Sequence, residues 1–257
     1  VVPRRRRDSR RLAVILALDT SSPLTSVSIT DAGTTLVELS HLDARRHAEV
    51  LAPLLQEALA APGVQRSSID TIACGVGPGP YTGLRVGIAT ALALGAAWEV
   101  PVVGLCSLDA IAAAACADGP TQGFGVAGDA RRHEVYWAWY ESDGARTDGP
   151  LVTLPAAIDP ARRSGRWLGE GAVVHRDQFG EVAEDLDGAL LHPHASWIGR
   201  RVQALLGSGE VAAPVEALLS AHGDDGAGTS AALRGRALLL PRPLYLRRPD
   251  AVPARTP

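Results

Sequence analysis

The sequence predicts an α/β protein made of two similar units in series. Three observations carry this. Short apolar runs bounded by glycine or proline alternate with helical stripes along the 257 residues. Each half opens with a strand feeding a hairpin, turned at Asp31-Ala-Gly33 in the first half and at Asp129-Ala-Arg-Arg132 in the second. Each half then continues into further strands and helices, as duplication of one α/β fold would produce. A chain of this length buries a full core.

In the first unit, residues 12–117, Leu12 to Asp19 reads as a buried strand, and Ser26 to Ile29 and Thr34 to Ser40 as the arms of the hairpin. A helix is expected over Ala44 to Leu59, with Val50, Leu51, Leu54, Leu55, Ala58 and Leu59 on one stripe. Pro53 lacks an amide and crowds the preceding turn, so a kink is expected there. The strand Ile69 to Val76 runs into a series of glycines, Gly75, Gly77, Gly79, Gly83, Gly87 and Gly95, whose later part is helical by the spacing of Leu84, Ile88 and Leu92. A strand at Val102 to Leu105 and an alanine-rich helix at Leu108 to Ala117 close the unit.

The second unit, residues 118–251, opens after Asp118-Gly-Pro120. Phe124 to Ala127 and Glu134 to Tyr140 read as strands, the latter alternating Val135, Trp137 and Trp139. Arg166 to Leu168 is a short strand into Gly169 and Gly171, Ala195 to Leu206 a helix, and Gly223 to Thr229 a loop. Residues 1–11 and 252–257 read as tails, the first arginine-rich and disordered.

Charge and cysteine usage narrow the function. The net charge is −3, but residues 1–11 hold six arginines against one aspartate, so the body of the chain stands at −8. Such a body is poorly suited to follow a nucleic-acid backbone unaided. Cys74, Cys106 and Cys116 have no CxxC pairing, no signal peptide is recognised at the start, and charge, glycine or proline interrupts every apolar stretch before it could span a bilayer. A reduced cytoplasm is the expected compartment, with no membrane association.

The glycine series admits two readings. Glycines at a strand-to-helix turn let backbone amides approach a phosphate, yet neither GxxxxGK[ST] nor GxGxxG is present, and the chain contains no lysine. Gly83, Gly87, Ala91 and Gly95 recur every fourth residue and put four small side chains on one helix face, which accepts another helix at close range. Asp19-Thr-Ser-Ser22, at the end of the first strand, admits two readings as well. It either holds a metal-bound phosphate through carboxylate and hydroxyls or closes a turn by side-chain to backbone bonds.

LALDTSS at 16–22, RRHAEVLAPLL at 45–55, GPGPYTGLRVGIATALAL at 77–94, PVVGLCSLDAIA at 101–112, DARRHEVYWA at 129–138 and PLYLRRPDA at 243–251 together resemble the TsaB (YeaZ) family. That resemblance implies a fold of the actin, sugar kinase and heat-shock chaperone ATPase type. It further implies a non-catalytic dimerization subunit in N6-threonylcarbamoylation of adenosine 37 in tRNAs reading codons that begin with A. The expected partners are a metal-containing paralogue of TsaD type and an ATPase subunit of TsaE type, with tRNA reached only through the complex and self-association when the partner is missing. Partner binding then falls to His47, Val50, Leu51, Leu54, Thr82, Gly83, Arg85, Val86, Gly87, Thr90 and Ala91, on two helices that pair with the same two helices of the paralogue. Asp19, Thr20, Ser21, Gly77 and Gly79 are the candidates for a vestigial nucleotide site, with ATP or ADP and magnesium held at the subunit interface.

The paralogue carries HxxxH after a PxxGxH segment, which sets two imidazoles on one helix face. Here those positions are Ser107 and Ile111, so no metal site is expected. His192-Pro-His194 is a loop pair, and His41, His47 and His133 have no partner at helical spacing. The enzyme alternative is an ATP-dependent phosphotransferase or acyl transferase using Asp19 and the Gly75–Gly83 loop, with Asp129 as its second carboxylate and Arg131 and Arg132 beside it. A metalloprotease is disfavoured by the absence of HExxH.

Overall fold

A computed structural model describes residues 13–117, 119, 122–183, 188–213 and 238–246. The arginine-rich start, the Gly223 to Thr229 loop and the tail 252–257 lie outside the described residues.

The first sheet is built from β1 (Val14–Asp19), β2 (Leu24–Asp31), β3 (Thr34–Leu42), β4 (Ile69–Gly75) and β5 (Val102–Leu105), with β11 (Leu238–Leu239) added at the β5 edge. β1 is buried along its whole length, as its unbroken apolar run requires. It pairs antiparallel with β2 and parallel with β4. The β2–β3 turn places Ala32 and Gly33 at φ +50° and +79°, the left-handed pair that a two-residue hairpin turn needs.

The second sheet contains β6 (Phe124–Asp129), β7 (Val135–Tyr140), β8 (Arg146–Thr153), β9 (Arg166–Leu168) and β10 (Glu181–Val182). Its order is β10-β9-β6-β7-β8 against β5-β4-β1-β2-β3 in the first, with the same sequence of antiparallel and parallel pairings. The duplication expected from the sequence is therefore present strand for strand, in the topology of the actin and sugar kinase fold.

One face of the first sheet carries α1 (His47–Ala60) and α2 (Tyr81–Trp98). α1 continues through Pro53, which lies on its exposed side. The short helices α4 (Pro160–Arg163), α5 (Glu170–Val174) and α6 (Gly188–Leu191) precede α7 (Ala195–Gly207), which covers the opposite face, packed on β1, β2 and β4. The sequence division after residue 117 groups α7 and β11 with the second unit, whereas both pack on the first sheet. The register is set by Ser26 Oγ, which accepts from Ala195 N at 2.7 Å, and by Gln203, which accepts from Gly33 N and donates to Ala13 O.

Between the units lies α3 (Ser107–Ala117). Its Leu108, Ile111, Ala112 and Ala115 join a core shared with Phe124, Val126, Ala138, Tyr140 and Leu168 of the second sheet. A separate cluster of Trp137, Trp167 and Phe179 supports the second sheet. Among the described residues no helix is long and apolar enough to cross a membrane.

Candidate functional site

The C-terminal ends of β1 and β4, the glycine turn and the start of α3 meet at Asp19. This carboxylate is fully buried and accepts from Ser21 N at 2.7 Å, Ser21 Oγ at 2.8 Å and Ser107 Oγ at 2.7 Å. Ser107 in turn accepts from Gly77 N, and its own amide donates to Gly77 O. A Cβ at Gly75 would lie 1.7 Å from Asp19 Oδ2, and one at Gly79 would lie 2.1 Å from Ser21 O. The glycines are needed for these close approaches. They bring the turn down onto Asp19-Thr-Ser. Of the five candidate nucleotide residues, only Ser21 lines the cleft between the units; Asp19, Thr20, Gly77 and Gly79 do not.

Burial pushes the Asp19 carboxyl up to about 6, against the opposing hydrogen bonds from Ser21 and Ser107. A folded-state value above the ordinary 3.8 means that protonation favours the native state. This stabilisation is complete below about pH 4 and lost as pH rises through about 6, a change of about 3 kcal/mol. Asp19→Asn should flatten the dependence. In urea unfolding at pH 4 and pH 7, the wild-type loss of stability across that interval should exceed the variant's by about that amount.

Ser107 and Ile111, where the catalytic relative would carry its two histidines, are buried on α3, the first bonded to Asp19 and the second 1% exposed in the core. No group of three metal-ligating side chains occurs among the described residues. Burial raises both Cys74 and Cys106 to about 12, so neither is a thiolate nucleophile at neutral pH.

The partner-binding candidates separate into two sets. Gly83, Gly87 and Ala91 face inward, which corrects the expectation that the small-residue stripe receives another helix. A Cβ at Gly83 would lie 2.4 Å from Thr20 O, and one at Gly87 would lie 2.3 Å from Thr20 Oγ1. Gly95 sits on Val102 in the same way. The stripe exists because β1 and β5 pass close beneath α2, and Thr20 Oγ1 donates to Gly83 O across that contact. His47 and Leu51 are also buried, His47 through a 2.7 Å hydrogen bond with Thr25 Oγ1. Thr82 and Arg85 are exposed and Val50, Leu54, Val86 and Thr90 half-buried. The outer side of α2 is completed by Ala89, Leu92, Ala93, Ala96 and Ala97, none of them among the partner-binding candidates of the sequence.

Arg131 and Arg132 lie in the turn between β6 and β7. Arg131, Arg132 and His133 all have positive φ, +61°, +56° and +63°, a left-handed run that L-residues adopt at a cost of roughly 1–2 kcal/mol each. Asp129 holds the turn by accepting from Arg131 N at 2.8 Å and pairing with its guanidinium at 2.9 Å. Arg131 is therefore committed to Asp129.

Sequence reasoning missed a buried ion pair. Asp109, the one charged residue of α3, lies 3.0 Å from Arg146 Nε and accepts from Tyr140 Oη at 2.7 Å, all three side chains being buried. Burial alone would lower the Arg146 guanidinium, and the Asp109 carboxylate more than reverses this, holding it above its ordinary value. The triad joins the inter-unit helix to β7 and β8.

Comparison with known proteins agrees with this geometry. The family model described as "TsaD: tRNA N6-adenosine threonylcarbamoyltransferase" matches residues 41–184. A protein of Mycobacterium tuberculosis is 43% identical over 152 residues, 58% of this chain and 69% of that one. The tRNA threonylcarbamoyladenosine biosynthesis protein TsaB of Escherichia coli is 30% identical over 207 residues, 78% of this chain and 81% of that one. The solved structure of YeaZ from Pseudomonas aeruginosa superposes with a TM-score of 0.65 at 28% identity, over 77% of this chain and 93% of that one. The agreement extends over most of both partners in sequence and in fold, and the chain belongs to the TsaB (YeaZ) family.

Proposed function

We propose that this chain serves tRNA threonylcarbamoyladenosine biosynthesis as a non-catalytic subunit, docking on a metal-containing relative of TsaD type that carries out transfer to N6 of adenosine 37. A role in that biosynthesis is supported by the names of its Escherichia coli and Haemophilus influenzae relatives. The observation that carries the non-catalytic reading is the fate of the two metal positions, with Ser107 bonded to a sealed Asp19 and Ile111 built into the core. The docking face is the outer side of α1 and α2, where Val50, Leu54, Val86 and Thr90 surround the exposed row Ala89, Leu92, Ala93 and Ala96. Small exposed side chains on a helix allow another helix to approach closely. A body of charge −8 leaves tRNA contact to the partner, and an ATPase subunit of TsaE type completes the assembly. ATP or ADP with magnesium belongs at the junction of subunits and not beside Asp19. Without its partner the same face allows self-association.

The test is mass-spectrometric detection of threonylcarbamoyladenosine in tRNA incubated with the TsaD-type and TsaE-type subunits, threonylcarbamoyl adenylate and ATP, with and without this chain. Product is expected only when this chain is added, and none when it is the sole protein. Product from this chain alone, or product that does not depend on it, would sink the proposal.

A further inference from the structure

The stretch PLYLRRPDA, 243–251, has no part in the Asp19 cluster or in α1 and α2, yet its described end, residues 243–246, packs against the start of α2. Leu244 is 1% exposed and its amide donates to Val76 O at 2.8 Å, which fixes the segment on the turn between β4 and α2. The next residue, Tyr245, stacks on Tyr81 with ring centroids 4.7 Å apart and planes at 26°. Arg85 follows Tyr81 by one helical turn, and its guanidinium carbon lies 3.7 Å from the Tyr81 ring centroid. Its Nε donates to Tyr245 Oη at 3.2 Å and its Nη2 to Tyr81 Oη. An arginine at an exposed helix position is thus held between two rings, one of them from a segment 160 positions away. Both acceptors are neutral hydroxyls, and no carboxylate among the described residues pairs with Arg85, so the guanidinium is oriented without being neutralised.

We infer that Arg85 anchors the docking face by pairing with a carboxylate of the TsaD-type partner, and that Tyr245 is the positioning residue that holds it ready. The inference rests on docking through α1 and α2, and adds to it the segment 243–246 and an acidic counterpart on the partner. Arg85 is continuous with that face, since exposed Thr82 and Ala89 and half-buried Val86 adjoin it on α2. A free arginine loses its rotamer freedom when it is ordered at an interface, and here the two rings have removed that freedom before the partner arrives. Two donors are spent on the hydroxyls, and Nη1 keeps both hydrogens for an incoming carboxylate. An exposed ion pair contributes little when both side chains must be ordered, so the stacked rings are what make this one effective.

The test is calorimetric titration of the full chain with the TsaD-type subunit at about 0.05 M and about 0.5 M salt, with a melting curve for each variant. Arg85→Gln should weaken binding about tenfold at low salt and leave a smaller salt dependence than that of the wild type. Tyr245→Ala should weaken binding about fivefold, and Tyr245→Phe, which keeps the stack and loses the hydroxyl, by less. Because Tyr245 acts through Arg85, adding Tyr245→Ala to Arg85→Gln should cost little more than Arg85→Gln alone. If alanine lowers the melting temperature, the same double-variant comparison is made with Tyr245→Phe. The inference is overturned if Arg85→Gln keeps the affinity and salt dependence of the wild type, or if both Tyr245 variants bind as the wild type does. It is also overturned if the Tyr245 and Arg85 losses add in full, which would make Tyr245 a separate contact and not a positioning residue. A wild-type chain that does not bind the subunit at all overturns the docking reading itself, whereas variants that bind as well as a binding wild type overturn this inference alone.

Discussion

Replacing Arg146 by methionine is expected to destabilise the chain by about 3–5 kcal/mol, a large part of the stability of a domain this size. The loss comes less from the ion pair than from what the substitution leaves behind. Asp109 is 5% exposed on a helix whose other faces are alanine, leucine and isoleucine, and without the guanidinium only the Tyr140 hydroxyl still bonds it. An uncompensated buried carboxylate is the most costly outcome available at this position. Asp109→Leu added to Arg146→Met removes the stranded charge and should recover most of the loss, even though the double variant keeps none of the original contacts. Urea unfolding of the wild type, Arg146→Met, Asp109→Leu and the double variant, followed by tryptophan fluorescence, distinguishes this from simple additivity. If the double variant is as unstable as the sum of the singles, the triad contributes through packing and not through charge.

How far this could be read from the sequence differs between elements for identifiable reasons. β1, β4, α2 and the two hairpins were legible because period and turn chemistry are local: VILALD is apolar throughout, and Asp31-Ala-Gly33 is a hairpin turn on its face. β8 was missed because Arg146-Thr-Asp-Gly-Pro150 has the composition of a loop, and only pairing with β7 makes it a strand. The placement of α7 could not be read at all, since helix periodicity reports an apolar face without saying which sheet covers it. The same gap affected the site. Spacing every fourth residue fixed that Gly83, Gly87, Ala91 and Gly95 share a face, and left open whether that face looks outward or onto β1. The buried triad did leave a signal in the lone aspartate of the alanine-rich helix Ser107–Ala117, which needs a cationic or hydroxylic partner from elsewhere.

The inward orientation of that stripe determines what a Gly87→Leu substitution does. A leucine there must place its Cβ 2.3 Å from Thr20 Oγ1 and 3.3 Å from Leu18 Cδ1, both on or beside the central strand β1. Neither neighbour can move far, because Thr20 is 1% exposed and bonded to Gly83 O, and Leu18 is fully enclosed. Overpacking of this kind should destabilise by about 3 kcal/mol, with loss of the partner complex following from damage to the first unit. Ala93→Arg, on the exposed side of the same helix, should have the opposite profile. Its stability should stay within about 0.5 kcal/mol of wild type, while co-elution with the TsaD-type partner is lost to the bulk and charge placed on the docking face. The pair therefore separates folding from docking on a single helix. A Gly87→Leu chain that melts like wild type would mean α2 stands off β1 in solution. An Ala93→Arg chain that still co-elutes would move the docking surface away from α2 altogether.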